Sequence, residues 1–291
     1  MGKNMRIILS RKGFDSSYGS HPSIILPDNK MISFPIPVTQ PEIGIAAEDI
    51  LYVELGKTLD ELLHELNIKN HYAYHVDPEI QNIKIADKVS FFDRGYGTLG
   101  QSGAAASHLA NNHISDIEIS KNEPAVFIFF GLFSKTKREN GKLKYDGKPF
   151  HAIFGYLIAD EAVKVSTISD TVHPELKSHL HYINQFEANK KKDEYIKHDR
   201  NIIFKGKQFG TFKYSEDLRL TVNDSDRTTR WGIPDFIKSM TYNKKRIDDG
   251  VRSNNKIFFD AASRGQEFII TEFETEKMKR WLKNLGVKLN G

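Results

Sequence analysis

The sequence predicts an α+β fold, with a mostly antiparallel central sheet or barrel and a few peripheral helices. Three observations carry this. Apolar runs at residues 7–9, 125–133 and 151–159 read as buried strands. Prolines 22, 27, 35, 37 and 41 exclude helix and central strand from the early chain, leaving short strands and turns. Helical spacing or propensity is confined to a few segments, near residues 58–66, 104–110 and 275–285. No internal repeat or low-complexity linker divides the chain, so residues 1–291 read as one domain, with 105–125 the tolerable boundary.

The first strand, Ile7-Ile8-Leu9, runs straight into Ser10-Arg11-Lys12-Gly13-Phe14-Asp15-Ser16. A buried strand that ends so polar announces a turn or a site. Gly13 and Gly19 let the backbone approach a ligand or take positive φ. Arg11 and Lys12 suit an anion, and Asp15 and Ser16 could position a hydroxyl or accept a proton. The plainer reading is a strand, a polar loop and a hairpin. Pro27-Asp28-Asn29-Lys30 then reads as a hairpin turn between Ile24-Ile25-Leu26 and Met31-Ile32.

Thr58 and Glu61 have capping-box spacing, and Leu59, Leu62, Leu63 and Leu66 follow at helical intervals, so a helix begins at Thr58 and ends near residues 67–70. His75-Val76-Asp77-Pro78-Glu79 puts one imidazole and two carboxylates within five residues, a set able to bind a divalent metal or to move protons. A turn capped by Asp77 is the competing reading. Residues 91–103 are dense in glycine, and Gly100-Gln101-Ser102-Gly103 opens an alanine-rich helix. Such a helix start suits a phosphate or carboxylate, with Arg94 to complete the anion site. The pattern is neither a Walker A loop nor a dinucleotide fingerprint, and tight helix packing explains the small residues equally well.

The run at 125–133 reads as a strand buried on both faces, residues 134–148 as a basic, glycine-containing hairpin loop, and 151–159 as the partner strand. Two buried strands around a polar loop suggest a barrel core. By fold-level analogy such a core is PUA-like, a kind of domain that binds modified or flipped bases. Residues 170–200 carry His173, His179, His181 and His198 among lysines. They read as a polar surface segment, since a catalytic zinc site needs three convergent ligands and nothing local fixes them. Strands are expected at 201–204 and 218–222. Trp231, beside Arg227 and Arg230, either stacks on a base or is an ordinary core tryptophan. Met278, Trp281, Leu282 and Leu285 form the apolar face of a last helix that starts at Thr275 and is capped by Gly286.

The chain of 291 residues has no cysteine, which excludes disulfides, thiolate zinc sites and cysteine nucleophiles. No apolar run approaches the ~20 residues of a membrane helix, so no membrane association is expected and a cytoplasmic location is the default. The net charge is only +4. Basic clusters at 135–144, 190–200 and 227–252 are therefore read as solvated faces unless they converge on a ligand.

Several segments together carry a resemblance. They are Ser10-Arg11-Lys12-Gly13-Phe14-Asp15-Ser16, Pro22 to Leu26, Ile32 to Pro37, His75-Val76-Asp77-Pro78, Gly100 to Ala105, Phe129 to Phe133, Phe154 to Leu157 and Gln266 to Ile269. In this order they resemble the nucleotide modification associated domain 3 family over nearly the whole chain. The resemblance implies a role beside base modification or anti-phage systems and no settled reaction. On this basis the chain is expected to be a nucleotide- or nucleic-acid-directed enzyme, with DNA favoured over RNA and with partner proteins of such a system. Its expected pocket gathers Lys12, Asp15, Ser16, His75, Asp77, Arg94, Gln101 and Ser102. Asp15, His75, Asp77 and Ser16 are the catalytic candidates. Arg11, Lys12, Gly13, Arg94, Gly100, Gln101, Ser102, Gly103 and Trp231 are the substrate-binding ones. Glycosidic cleavage, group transfer and phosphodiester cleavage stay open, and neither a metal nor a cofactor is specified. The rival is a non-catalytic reader of modified DNA or RNA.

Overall fold

The longest apolar run becomes the longest strand among the described residues, Ala125–Glu139. Its first ten residues are all buried, which is why its sequence does not alternate. The structure is a computed structural model that describes residues 5–14, 19–38, 44–71, 73–115, 118–191, 200–242, 245–246, 250–262 and 267–289. Their α-helices are α1 (Leu59–Glu65), α2 (Gly103–Ala110), α3 (Leu180–Lys191) and α4 (Thr275–Leu285). No helix among the described residues is long and apolar enough to cross a membrane.

The chain folds as two compact units, each made of separate stretches. The first comprises Met1–Phe34, Val126–Tyr156 and Thr211–Gly291; the second comprises Pro35–Ala125 and Leu157–Gly210.

The first unit is built on most of a large sheet, of which residues 157–159 and 208–210 are counted in the second. Its path runs Gln208–Thr211, Phe150–Ala159, Ala125–Glu139, Arg6–Arg11, Glu267–Phe273, Ile237–Tyr242, Lys245–Arg246. Arg6–Arg11 and Glu267–Phe273 are antiparallel, with Ile7 opposite Ile270 and Ser10 opposite Glu267. Ser23–Ile25 lies parallel to Ala125–Glu139, an exception in a sheet dominated by antiparallel pairs. Closing a barrel needs the end strands to pair. Here they are two short strands at opposite ends of the path, so the sheet stays open and the barrel alternative is not the form adopted. The core is aromatic: Trp231 packs edge-on against Phe130 at 4.8 Å between ring centres and beside Phe268 at 5.3 Å.

Two local expectations change. Residues 134–148 are not a loop: the long strand continues to Glu139 and pairs with Lys142–Tyr145 across Asn140-Gly141. No regular strand forms at 218–222. Ser215-Glu216-Asp217 instead opens a 3-10 turn, Glu216–Leu218, whose first turn welcomes acidic side chains. Only isolated bridges follow, Arg219 to Ala152 and Thr221 to Trp231.

Among the described residues the second unit holds small sheets and the helices α1, α2 and α3. The sheet that matters has the order Glu161–Lys164, Asn201–Gly206, Gly97–Ser102, and both pairings are antiparallel. α1 starts on the expected capping box. Thr58 Oγ1 accepts from the Glu61 N–H, and the Glu61 carboxylate accepts from the Thr58 N–H at 2.7 Å.

Candidate functional site

In the second unit the strand Gly97–Ser102 organises a buried polar cluster. The segment that carries Asp77 and Glu79 is sewn to it. The Glu79 N–H donates to the Thr98 carbonyl at 2.9 Å, and the Asp77 Oδ1 accepts from the Gly100 N–H at 2.7 Å. The Asp77–Pro78 peptide bond is cis. Glu79 receives Arg94 and Thr98, each at 2.6 Å, and Arg94 also donates to the Tyr96 carbonyl. Arg94 is thus engaged by an internal carboxylate, and its guanidinium lies over the Phe91 and Tyr96 rings.

Above Gly100 sits His181. A Cβ on Gly100 would fall 2.1 Å from the His181 ring, so the absence of a side chain is what admits the imidazole. His179 and His181 flank the start of α3, with ring centres 5.5 Å apart, and His75 lies 5.1 Å from His181. His179 and His181 are buried, at 1% and 8% exposure. The polar composition of 170–200 suggested a surface segment; long-range packing against the glycine strand turns these two side chains inward instead.

Hydrogen-bond partners fix the tautomers. The Asn201 amide donates to the His181 carbonyl at 3.1 Å and to Gln185 Oε1 at 2.9 Å, so its oxygen faces His181 Nδ1 at 2.7 Å. That nitrogen must carry the proton, which leaves His181 Nε2 with a lone pair. His179 is the reverse. Its Nδ1 accepts the His181 N–H at 3.1 Å, so a neutral His179 carries its proton on Nε2. Nε2 of His179 is buried with no hydrogen-bond partner among the described residues, and it points at Asp77 Oδ1 from 3.9 Å. Burial, reinforced by His75, pushes the His181 imidazole down to about 3, so it is neutral at neutral pH. One imidazole therefore offers an N–H beside a carboxylate, and its neighbour offers a lone pair. No three His, Asp or Glu side chains among the described residues are arranged to hold a metal ion.

The expected site residues divide between the units. His75, Asp77, Arg94, Gly100, Gln101, Ser102 and Gly103 belong to the second. Gln101 is buried, while Ser102 and Gly103 sit exposed at the start of α2, where Ser102 makes no side-chain cap. Arg11, Lys12, Gly13 and Trp231 belong to the first unit. There Ser10 donates to Glu267 at 3.0 Å and Lys12 Nζ lies 3.7 Å from the same oxygen. Arg11 approaches His151, whose Nδ1 accepts the Trp231 indole N–H at 3.0 Å. Trp231 is 1% exposed, with its ring packed among Phe130, Phe259 and Phe268 and not offered to a base. Asp15 and Ser16 lie outside the described residues, as do Lys192 and residues 197–199. Sequence reasoning missed Asn201, Gln185 and the inward turn of His179 and His181. The signal available was the pairing of two histidines two residues apart with a distant glycine strand.

A family model described as Nucleotide modification associated domain 3 matches residues 6–271. No curated protein and no solved structure matches.

Proposed function

Since the chain belongs to the nucleotide modification associated domain 3 family, we propose that it is an enzyme acting on a nucleotide or a modified base by acid–base chemistry. The observation that carries this reading is the buried Asp77–His179–His181–Asn201 cluster. Burying polar groups is unfavourable unless each finds a partner. A core imidazole whose N–H lacks a hydrogen bond, next to a carboxylate held by a backbone N–H, is a poor structural device and a fitting neighbour for a carboxylate that takes up a proton. In this reading Asp77 is the base that takes a proton from the substrate, the His179 Nε2–H faces its charge, and the Nε2 lone pair of His181 orients a donor on the substrate. His75, half-buried and 5.1 Å from His181, is assigned to the substrate side in this reading. The reaction couples a proton transfer to making or breaking a bond at the base or its sugar-phosphate. The setting proposed is a DNA base-modification or anti-phage system with partner proteins. A cytoplasmic location suits a chain without cysteine.

The test is a mass-spectrometric screen of nucleoside phosphates, and of DNA and RNA bearing modified bases, incubated with the protein. The wild type should convert one of them. A folded Asp77→Asn protein should bind that substrate and convert it ~10²–10⁴-fold more slowly, the usual worth of a positioned acid or base. Binding of modified nucleic acid with no conversion of anything identifies the non-catalytic reader instead. Full activity in Asp77→Asn removes this cluster from the mechanism.

A further inference from the structure

The first unit contains a concavity that the acid–base cluster does not use. Its volume is about 550 Å³, within the ~300–1,000 Å³ that accepts a small organic ligand. A second hollow of about 400 Å³ shares Asp217, Arg219 and Lys256 with it, so the two are contiguous. Every lining residue of both belongs to this one unit.

The lining is chemically mixed. Part of it is aromatic: Phe212 stacks on Tyr156, with ring centres 5.6 Å apart and planes at 16°, and half-buried Trp281 is held edge-on by Phe236. The charged lining of the larger hollow is Lys213, Arg219, Lys256 and Asp217, and Glu216 joins it in the smaller one. The guanidinium of Arg219 is fixed before any ligand arrives. It lies 4.2 Å over the Phe150 ring, and its Nε donates to the Thr221 carbonyl at 3.0 Å.

Ion pairing differs among the cations of this unit. Lys135, Lys137, Lys144 and Lys148 each sit within ion-pair distance of a carboxylate. Among the described residues Lys213 and Lys256 make no ion pair, and both line the concavity. Like charges gathered at one hollow repel unless an anion joins them. The last turn of α4, at Leu285 and Gly286, also lines the hollow, and helix carbonyls there carry partial negative charge. An anionic group is therefore favoured beside the cations and a neutral, flat body beside Trp281.

We infer that this concavity binds a nucleoside monophosphate, its base against Trp281 and Phe212 and its phosphate against Arg219, Lys256 and Lys213. A flat aromatic body joined to a compact anion satisfies both kinds of lining, whereas inorganic phosphate satisfies one and a free nucleoside the other. The phosphate can come from a free nucleotide or from the 5′ end of a strand. This site goes beyond the acid–base reading and stands or falls apart from it.

The test is fluorescence titration of the full chain with adenosine 5′-monophosphate, adenosine, inorganic phosphate and a 5′-phosphorylated oligonucleotide. The nucleotide should quench emission from Trp281, with no such change in Trp281→Phe, whose remaining tryptophan is the buried Trp231. Adenosine and phosphate alone should each bind ~10-fold or more weakly. Lys256→Met should weaken nucleotide binding several-fold and Arg219→Met ~10-fold or more, as expected for losing a charged hydrogen-bond partner. Lys256 is exposed, so its variant carries the test if Arg219→Met fails to fold. Quenching by the oligonucleotide and not by the mononucleotide assigns the site to strand ends, and the reverse to free nucleotide; either supports the inference. Absence of quenching by both at millimolar concentration overturns it, as does quenching unchanged in Lys256→Met.

Discussion

Gly100 performs two tasks at one position: its N–H holds Asp77, and its bare α-carbon seats His181. Neither requires positive φ, so this is a packing glycine and not a turn glycine. The alanine variant adds one methyl group, and that methyl meets an imidazole locked by Asn201 at one nitrogen. The ring has to leave its place, because the strand backbone is pinned by pairing with Asn201–Gly206. Gly100→Ala should therefore fold with ~1–3 kcal/mol less stability, as overpacked cores do. It should also shift the His181 ring resonances and lose whatever turnover the wild type shows. Urea unfolding and histidine NMR read the two effects. Unchanged stability together with unchanged His181 signals would show that the ring does not rest on Gly100.

At the level of elements, what could be read in the sequence was local chemistry. The Thr58–Glu61 box started α1, and the Thr275 helix ran to its Gly286 cap. Residues 27–30 made their hairpin turn, with Asn29 in the left-handed region. Trp281, expected in the core by spacing, is only half-buried, because helical periodicity assigns a face and not what that face meets. The tight turn inside the expected hairpin loop is instructive. Lysine density at 135–144 reads as loop, yet Asn140-Gly141 is the strongest short signal for a two-residue turn, since both residues must take positive φ. They do, at φ 52° and 79°. A Cβ on Gly141 would meet nothing within 4 Å, so Gly141→Ala isolates the backbone term. The expected loss is ~1–2 kcal/mol, the cost of a left-handed L-residue, measured by chemical denaturation. No loss would mean that the hairpin contributes nothing to the stability of its unit.

For the whole molecule, each unit is assembled from stretches far apart in the chain, and that is why the candidate site was only half legible. His75, Asp77 and Gly100 sit in segments whose residue types announce chemistry. His179, His181 and Asn201 come from another stretch and look like polar surface until the fold buries them. The same burial gives the molecule a pH signature. His151 in the first unit is pushed down to about 3, chiefly by burial and then by the Arg11 charge, and His181 in the second is pushed down to about 3 by burial. An unfolded histidine titrates near ~6.5. Below that pH the unfolded chain takes up protons that the folded units refuse, so stability is full above ~6.5 and is lost as pH falls from ~6.5 towards 3. Each histidine adds up to ~1.4 kcal/mol of lost stability per pH unit to the unit that holds it. Between pH 5 and 6.5 ordinary carboxylates are already ionised, which leaves the histidines to set the slope. His151→Gln should remove one share: the amide oxygen can still accept the Trp231 N–H, but it cannot take a proton in the unfolded state. Urea midpoints at pH 5.0, 5.5, 6.0 and 7.0 should therefore fall steeply with acid in the wild type and less steeply in His151→Gln. Equal slopes in the two proteins, or a flat profile in the wild type, would mean that His151 is not held neutral by the fold.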